Sequence, residues 1–166
     1  MLSGESKVSA AQFDALSRAT PANGRFLEVG TWHGATAAKI ADLCPDALIV
    51  SVDDFSQCTP ENYQLNRRPN MRLVVGAFCG VVDHPDLAEP FDVIFVDAIH
   101  RYPHCLNDLR AASKLLKPGG VIFAHDCDAR LYPGVVRSVD EFCAESGFEI
   151  VSSVDRKSTL VGLKKQ

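Results

Sequence analysis

The chain has 166 residues, of which 46% are hydrophobic and 23% are charged. This length and balance are typical of one globular domain with a sizeable core, and they exclude disorder as the main state. The 17 basic and 21 acidic residues give a net charge of −4, which argues against a nucleic-acid partner. No apolar run reaches the roughly 20 residues of a membrane helix, so we expect no membrane partner.

The first residues and the cysteines predict a cytoplasmic protein. The start of the chain lacks a basic segment followed by an apolar run, so no secretory signal is expected. The six cysteines are scattered and form no C-x-x-C pair, which favours reduced thiols over disulfides. Most are expected to be small core residues, and Cys127 is the exception because it lies beside an acidic cluster.

The first half of the chain alternates helical and apolar segments. Residues 1–23 are expected to contain a helix that begins after Ser9, because Ser9 and Gln12 have capping-box spacing. A strand at 25–30, a helix at 34–44 and a strand at 47–54 follow. The strands are continuous apolar runs, as expected where both faces of a parallel sheet are covered.

The second half continues the alternation and ends differently. A weak strand pattern lies at 72–76, and stronger ones lie at 91–97 and 120–126. Helical patterns lie at 104–116 and 133–146. The polar segment 57–69 is expected to be either part of a lid or a solvated surface.

A hairpin is expected at the C-terminal end of the chain. Two strand patterns, 148–154 and 159–165, are separated only by the short polar sequence DRKS. The predicted fold is therefore α/β, a Rossmann-like doubly wound sheet of seven strands with helices on both faces. The sheet is mostly parallel with an antiparallel last strand, and residues 1–166 form a single domain.

A glycine turn follows the first predicted strand. The segment 28–34 has the spacing E-x-G-x-x-x-G, so Gly30 allows a tight turn and Gly34 opens the next helix. Glu28 stands where dinucleotide-binding proteins have the first glycine of G-x-G-x-x-G, and its charge would repel a pyrophosphate. A carboxylate there suits a ligand with an amino group, which argues against a nucleotide-dependent oxidoreductase.

An acid follows the turn at the distance expected for ribose binding. Asp53 ends the second predicted strand, about 20 residues after the glycine turn, where a carboxylate can accept both ribose hydroxyls. The alternative is purely structural: the glycines permit a tight turn and Asp53 caps a helix.

These motifs resemble those of class I S-adenosylmethionine-dependent methyltransferases. The resemblance is carried by the turn 28–34, Asp53, FDVIFVDAIH and LLKPGGVIFAHD, and it spans about residues 24–165. Within that superfamily, the run D-A-I-H-R-Y from Asp97, together with Asp108 and the later pattern HD…YPGV…VDEF, is most similar to small macrocin O-methyltransferase-like proteins.

The resemblance implies a cofactor site for S-adenosylmethionine. Glu28 would help to hold the amino group of the cofactor, directly or through water, and Asp53 would bind the ribose. Relatives often carry an acid after the glycine of the third strand, where this chain has Ala77, so adenine would rest on backbone groups and Phe78. Phe78 is equally a candidate core residue. The full predicted set is Glu28, Gly30, Thr31, Trp32, Gly34, Asp53, Asp54, Ala77, Phe78 and Asp97.

Trp32 is the one tryptophan of the chain, and its ring is expected near the cofactor or the mouth of the substrate site. Ordinary hydrophobic cover is the alternative.

Two further acids end neighbouring strands. Asp97 follows the fourth predicted strand and Asp126 the fifth, so both face one crevice. Two carboxylates about 4 Å apart repel by around 4 kcal/mol at a typical effective dielectric constant, so either one is protonated or a cation joins them. We expect Asp97 and Asp126 to bind Mg²⁺ or another divalent ion, with His100, His125 or Asp128 as the third ligand. The alternative is that both acids only cap loops.

The expected chemistry is methyl transfer to oxygen. An alkyl hydroxyl needs deprotonation, and His100 is the predicted base, with Asp97 as its catalytic partner. His125 is expected to orient Asp126 or to bind metal; His100 as ordinary polar surface is the competing interpretation. The acceptor is a small hydroxylated molecule, and dimerisation or residues 54–70 would cover it. A noncatalytic cofactor-binding module is the alternative function, and a nucleotide-dependent oxidoreductase is a weaker one.

Overall fold

The computed structural model describes residues 6–155 and 159–166, which include seven strands in one sheet. In chain order the strands are β1 Arg25–Val29, β2 Leu48–Asp53, β3 Met71–Val75, β4 Phe91–Val96, β5 Leu116–Ala124, β6 Phe148–Val154 and β7 Leu160–Lys165. The helices are α1 Ala10–Ala19, α2 Ala35–Leu43, α3 Pro60–Asn66, α4 His104–Leu115 and α5 Pro133–Ser146. Two short 3₁₀ helices, Phe78–Gly80 and Pro85–Leu87, connect β3 to β4.

The sheet has the order β3-β2-β1-β4-β5-β7-β6, and β7 is antiparallel to both of its neighbours. The predicted doubly wound fold with an antiparallel last strand is therefore confirmed. Residues 156–158, which the prediction assigned to the hairpin connection, lie outside the described residues.

Each face of the sheet has its own apolar core, because successive side chains of a strand point to opposite faces. Leu27 and Val29 of β1 pack with residues of α4 and α5. Phe26 of the same strand packs on the other face, with residues of α1, α2 and α3. Both faces are thus covered, and the polar ends of the strands are the part of the sheet left for a site.

Two local features differ from the predicted elements, and a third agrees with its prediction. α3 forms within the polar segment 57–69, where Pro60 starts the helix and Tyr63 is buried against the core. β5 begins at Leu116 rather than near 120, because Leu116 pairs with Phe91 and Lys117 forms an ion pair with Asp92. The capping box of Ser9 and Gln12 is present at the start of α1.

In the part of the chain that the structure describes, no helix is long and apolar enough to cross a membrane.

Candidate functional site

A cavity of about 810 Å³ lies at the carboxyl ends of the strands β1 to β5. Its volume falls within the range of small-molecule sites, roughly 300–1,000 Å³. Two of the predicted site residues, Glu28 and Gly34, do not line it. The predicted residues that do are Gly30, Thr31, Trp32, Asp53, Asp54, Ala77, Phe78, Asp97, His100 and Asp126.

The glycine turn brings β1 against the end of β4. Gly30 has φ of +86°, and a Cβ atom added there would overlap the carbonyl oxygen of Asp97. Gly34 has φ of +74° at the N-cap of α2, where an added Cβ would lie 2.6 Å from the Tyr63 ring. Both positions therefore need glycine for conformation and for space. Gly34 shapes the turn from behind the cavity wall.

Asp53 is held in place by the backbone around it. The N–H of Trp32 donates to Oδ2 at 2.8 Å, and the N–H of Phe55 donates to Oδ1 at 2.7 Å. Trp32 and Phe55 both have left-handed backbone conformations, with φ of +49° and +54°. Each carboxylate oxygen can accept further hydrogen bonds from a ligand in the cavity. Asp54 is exposed beside it and accepts the Ser56 N–H at 2.9 Å.

Trp32 lines the cavity. It is 46% exposed and stacks on the ring of His33, with the ring centroids 4.2 Å apart. At the β3 end, Phe78 lines the cavity and also packs into the α4–α5 core. It is therefore a core residue that also borders the site.

Glu28 lies behind the cavity wall. It is 1% exposed, and its carboxyl group accepts hydrogen bonds from the Thr31 hydroxyl and, at 3.2 Å, from the Ser51 hydroxyl. Burial raises the pKa of Glu28 to about 8, although both hydroxyl donors favour the ionised form. At neutral pH the group is therefore mostly uncharged, and its contact with the cavity runs through Thr31, which lines it.

Two carboxylates and two imidazoles meet at the ends of β4 and β5. Nε2 of His100 lies 3.2 Å from Oδ1 of Asp97 and 3.1 Å from Oδ2 of Asp126. Nδ1 of His125 lies 3.3 Å and 3.4 Å from the same two oxygens. Asp126 reaches this position from a left-handed backbone conformation, with φ of +55°. The two acids therefore face each other as expected, and the imidazoles lie between them.

The pKa values of this cluster follow from the arrangement. Hydrogen bonds to Asp126 and Asp97 raise the pKa of His100 to about 9. Burial alone would lower the pKa of His125, but the same carboxylates outweigh it and raise it to about 10. Burial opposes ionisation of Asp97, yet both imidazoles lower its pKa. Protonated imidazoles thus offset the repulsion between the two carboxylates, for which protonation of one acid or a bound cation was expected.

Asp97, His100 and Asp126 also form a group that fits a metal ion. Each offers a ligand atom, and these atoms lie within 4.8 Å of one another. The sequence left His100, His125 and Asp128 as candidates for the third ligand, and this group contains His100. Asp128 instead accepts the backbone N–H groups of Arg130 and Leu131, at 2.8 and 3.1 Å.

Three residues at or behind the cavity were given no site role from the sequence. Gln12 is fully buried, and its Oε1 lies 3.3 Å from Nε2 of His125 while accepting the Ser9 N–H at 2.9 Å. The ring of Tyr132 packs against that of His100 at a tilt of 35°, with the ring centroids 4.7 Å apart. Asp108 of α4 lines the cavity although it is only 9% exposed. A carboxylate on the buried face of a helix was the available signal for Asp108; Gln12 gave only its capping signal.

Comparison with known families identifies the class. A family model described as a methyltransferase domain matches residues 27–127, which include the glycine turn, Asp53 and the cluster at β4 and β5. The chain belongs to this family and is a class I S-adenosylmethionine-dependent methyltransferase. No curated protein sequence matches the chain at a significant level.

Solved structures share the fold. The O-methyltransferase TomG from Streptomyces achromogenes, involved in tomaymycin synthesis and solved with S-adenosylmethionine, is 23% identical, with a TM-score of 0.70 over 96% of this chain and 82% of TomG. The ribosomal protein L11 methylase from Lactobacillus delbrueckii subsp. bulgaricus is 18% identical, with a TM-score of 0.71 over 98% and 80%. Fibrillarin from Aeropyrum pernix, with natively bound S-adenosylmethionine, is 20% identical, with a TM-score of 0.69 over 87% and 67%. At these identities the likeness concerns the fold alone.

Proposed function

We propose that the protein transfers a methyl group from S-adenosylmethionine to a hydroxyl group of a small molecule, and that a divalent cation assists the reaction. The observation that carries this proposal is the position of Asp97, His100 and Asp126, which line the cavity with their ligand atoms within 4.8 Å of one another. The group lies beside the Gly30 turn, where the absence of a Cβ atom lets the end of β1 approach the Asp97 carbonyl oxygen closely. We also propose that the protein belongs to the small macrocin O-methyltransferase-like group.

The residues along the cavity fit the cofactor. Asp53 accepts the ribose hydroxyls, because its carboxylate is already oriented by two backbone N–H groups. Gly30 and Thr31 receive the methionine part, and Glu28 positions Thr31 from behind the wall. Ala77 and Phe78 receive adenine. Asp54, Trp32 and Asp97 border the same space, and Gly34 shapes the turn.

The residues near the acceptor have to remove a proton. S-adenosylmethionine brings a methyl group that is already reactive, so the protein has to place the acceptor oxygen in line and deprotonate it. A pKa of about 9 leaves His100 protonated at pH 7, where it is a poor base. A divalent ion bound by Asp97 and Asp126 would compete with that proton, and it would also lower the pKa of a coordinated hydroxyl.

His100 then has one of two roles. As a neutral imidazole it accepts the proton of the acceptor, oriented by Asp97 at 3.2 Å. As a ligand it completes the group with Asp97 and Asp126. His125 orients Asp126 in both cases, since its ring is anchored by Gln12 on the opposite side.

A small acceptor is favoured over a nucleic acid. The net charge of −4 does not provide the attraction to phosphates that RNA binding requires. The cavity volume of about 810 Å³ accommodates a cofactor with a small partner. Residues 54–70, which include α3, or a second copy of the chain would cover the acceptor. The proposed location is the cytoplasm, in keeping with six free cysteines.

Two experiments test the proposal. Calorimetric titration with S-adenosylmethionine and NAD should give binding of the first alone, and binding of NAD instead would favour an oxidoreductase. Transfer of a labelled methyl group to a panel of phenols, sugars and small alcohols should then be measured in EDTA and after addition of Mg²⁺ or Mn²⁺. Full activity in EDTA would remove the metal from the proposal. Cofactor binding without transfer to any acceptor would favour a noncatalytic module.

A further inference from the structure

The order of the strands lays out the cavity as a line. Along the sheet order β3-β2-β1-β4-β5, the cavity meets Ala77, Asp53, Gly30, Asp97 and Asp126 in turn. Taking the function proposed above, the methyl group has to lie near the cluster at β4 and β5, while the ribose lies at Asp53 after β2. The base is attached to the side of the ribose opposite the methionine chain. It therefore extends toward the end of β3.

Asp108 faces this end of the cavity from another element. α4 packs against the 3₁₀ helix Phe78–Gly80 that follows β3, and the Cys79 thiol lies 3.5 Å from Oδ1 of Asp108. Cys79, Asn107 and Asp108 all line the cavity. Asp108 is thus a carboxylate that belongs to α4 in sequence and to the β3 end of the site in space.

The surroundings of Asp108 leave it with unused acceptor capacity. It is 9% exposed, and within residues 6–155 and 159–166 the Cys79 thiol is the one hydrogen-bond donor to its carboxylate. Burial raises the pKa of Asp108 to about 6, so the group is mostly ionised at neutral pH. A buried ionised carboxylate with one weak donor gains from a further N–H donor, because such groups accept several hydrogen bonds.

We propose that Asp108 accepts a hydrogen bond from the 6-amino group of the cofactor's adenine. Ala77, which also lines the cavity after β3, has no polar side-chain atom, and Phe78 has an apolar ring. The carboxylate then selects a 6-aminopurine over a purine without that amine. A site built to accept a hydrogen bond discriminates against a ligand that lacks the donor, because the buried acceptor is left unpaired. The inference rests on the proposed cofactor site.

The test compares two ligands that differ in one group. Binding of S-adenosylhomocysteine and of its 6-deamino analogue, with hydrogen in place of the amine, is measured by calorimetry. We expect the native protein to bind S-adenosylhomocysteine about tenfold to a hundredfold more tightly than the analogue. Asp108→Leu removes the acceptor and should bring this ratio close to one. Asp108→Asn keeps a carbonyl oxygen and should give an intermediate ratio.

Asp140→Asn provides the matched control, since Asp140 is an exposed carboxylate of α5 outside the cavity and its variant should keep the native ratio. A native ratio near one, with S-adenosylhomocysteine still bound, would overturn the assignment of Asp108 and leave the proposed function intact. An unchanged ratio in Asp108→Leu would do the same. Absence of S-adenosylhomocysteine binding in the native protein would overturn the proposed function itself. Since the native measurement needs no substitution, the test holds even where a variant fails to fold.

Discussion

The two halves of the cavity shift the pKa values of their carboxyl groups in opposite directions. In the glycine half, formed by Gly30, Thr31 and Asp53, the nearby acid Glu28 is buried against hydroxyl groups and has a pKa of about 8. In the ionic half, Asp97, His100 and Asp126 line the cavity and the buried His125 contacts both carboxylates. Here the imidazoles lower the pKa of Asp97. The result is a mostly neutral acid on β1 and an ionised acid after β4.

The difference follows from the partners available to each acid. Hydroxyl groups donate a hydrogen bond without carrying charge, so they offset only part of the cost of burying a carboxylate. Imidazoles can become cations, and two of them lie within 3.4 Å of the Asp97 and Asp126 carboxylates. One half of the cavity is thus suited to holding a ligand by backbone and neutral groups. The other half has charge available for proton transfer or metal binding.

The largest expected effect is the loss of the ionic half. Asp97→Asn and Asp126→Asn should each lower methyl transfer by about 10²-fold to 10⁴-fold, the range for removal of acid–base catalysis. The double variant should lose little more than either single variant, because groups that act as a unit are not additive. The measurement is the transfer rate at saturating S-adenosylmethionine and Mg²⁺.

Two controls separate this effect from a loss of structure. Affinity for S-adenosylmethionine should stay within about threefold of native at Asp126, on the far side of β4 from Asp53. Asp140→Asn, which replaces an exposed carboxylate, should leave the rate of methyl transfer unchanged. Strictly multiplicative losses at Asp97 and Asp126 would show that the two acids act separately, contrary to the cluster seen here.

Gly30→Ala should be the most damaging change in the glycine half. Alanine at φ of +86° is strained by about 1–2 kcal/mol, and its Cβ would also overlap the Asp97 carbonyl oxygen. Gly119→Ala is a matched control, since Gly119 has φ of +79° and open space around the added Cβ. Thermal unfolding should show only the strain in Gly119→Ala and a clearly larger loss in Gly30→Ala. Equal losses would mean that the contact between β1 and β4 tolerates a methyl group.

The comparison also shows where sequence patterns were sufficient. The glycine turn and Asp53 lie close in sequence, so their spacing predicted both the turn and the half of the cavity to which they belong. Apolar runs predicted the strands, and their polar ends predicted that Asp97 and Asp126 would face one another. These features depend on local periodicity and on one general rule about parallel sheets.

The remaining features depend on packing between distant segments. Gln12 contacts His125 across 113 positions of the chain, and no local pattern predicts which residue of α1 will meet the end of β5. Asp108 reaches the β3 end of the cavity only because α4 packs on the 3₁₀ helix after β3. The neutral state of Glu28 was missed for the same reason, since its burial by Ser51 and Thr31 is a tertiary property.

Asp53 offers the next effect in size. Asp53→Ala should weaken S-adenosylmethionine binding by about 1.5–3 kcal/mol, the range for hydrogen bonds to a charged group. Part of this loss comes from the Trp32 and Phe55 N–H groups, which lose their acceptor. Asp53→Asn keeps one acceptor oxygen and should lose less, and the exposed Asp46→Asn serves as control. Unchanged affinity in a folded Asp53→Ala variant would remove Asp53 from the site.

Because of the imidazoles of the ionic half, the free energy of unfolding should fall at alkaline pH. Their folded pKa values, about 9 and 10, lie above the ordinary value of 6.5, so the folded protein binds more protons between these limits. The stability that they contribute is complete below pH 6.5 and is lost as the pH rises through 9 to 10. Thermal unfolding at pH 7, 8 and 10 in EDTA should show a smaller loss for His100→Gln than for the native protein. Identical curves would contradict the ion pairs of His100.

The smallest expected effect belongs to Glu28→Gln. Because burial raises the pKa of Glu28 to about 8, the native side chain is mostly neutral at pH 7, and glutamine reproduces its shape and charge. S-adenosylmethionine affinity at pH 7 should therefore change by less than about threefold, or roughly 0.7 kcal/mol. The folded pKa is raised from 4.5, so the native protein should lose stability relative to the variant as the pH rises from 4.5 through 8. A tenfold loss of affinity with normal unfolding would instead mean that an ionised Glu28 carboxylate holds the amino group of the cofactor, directly or through water. The glycine half would then use charge as the ionic half does.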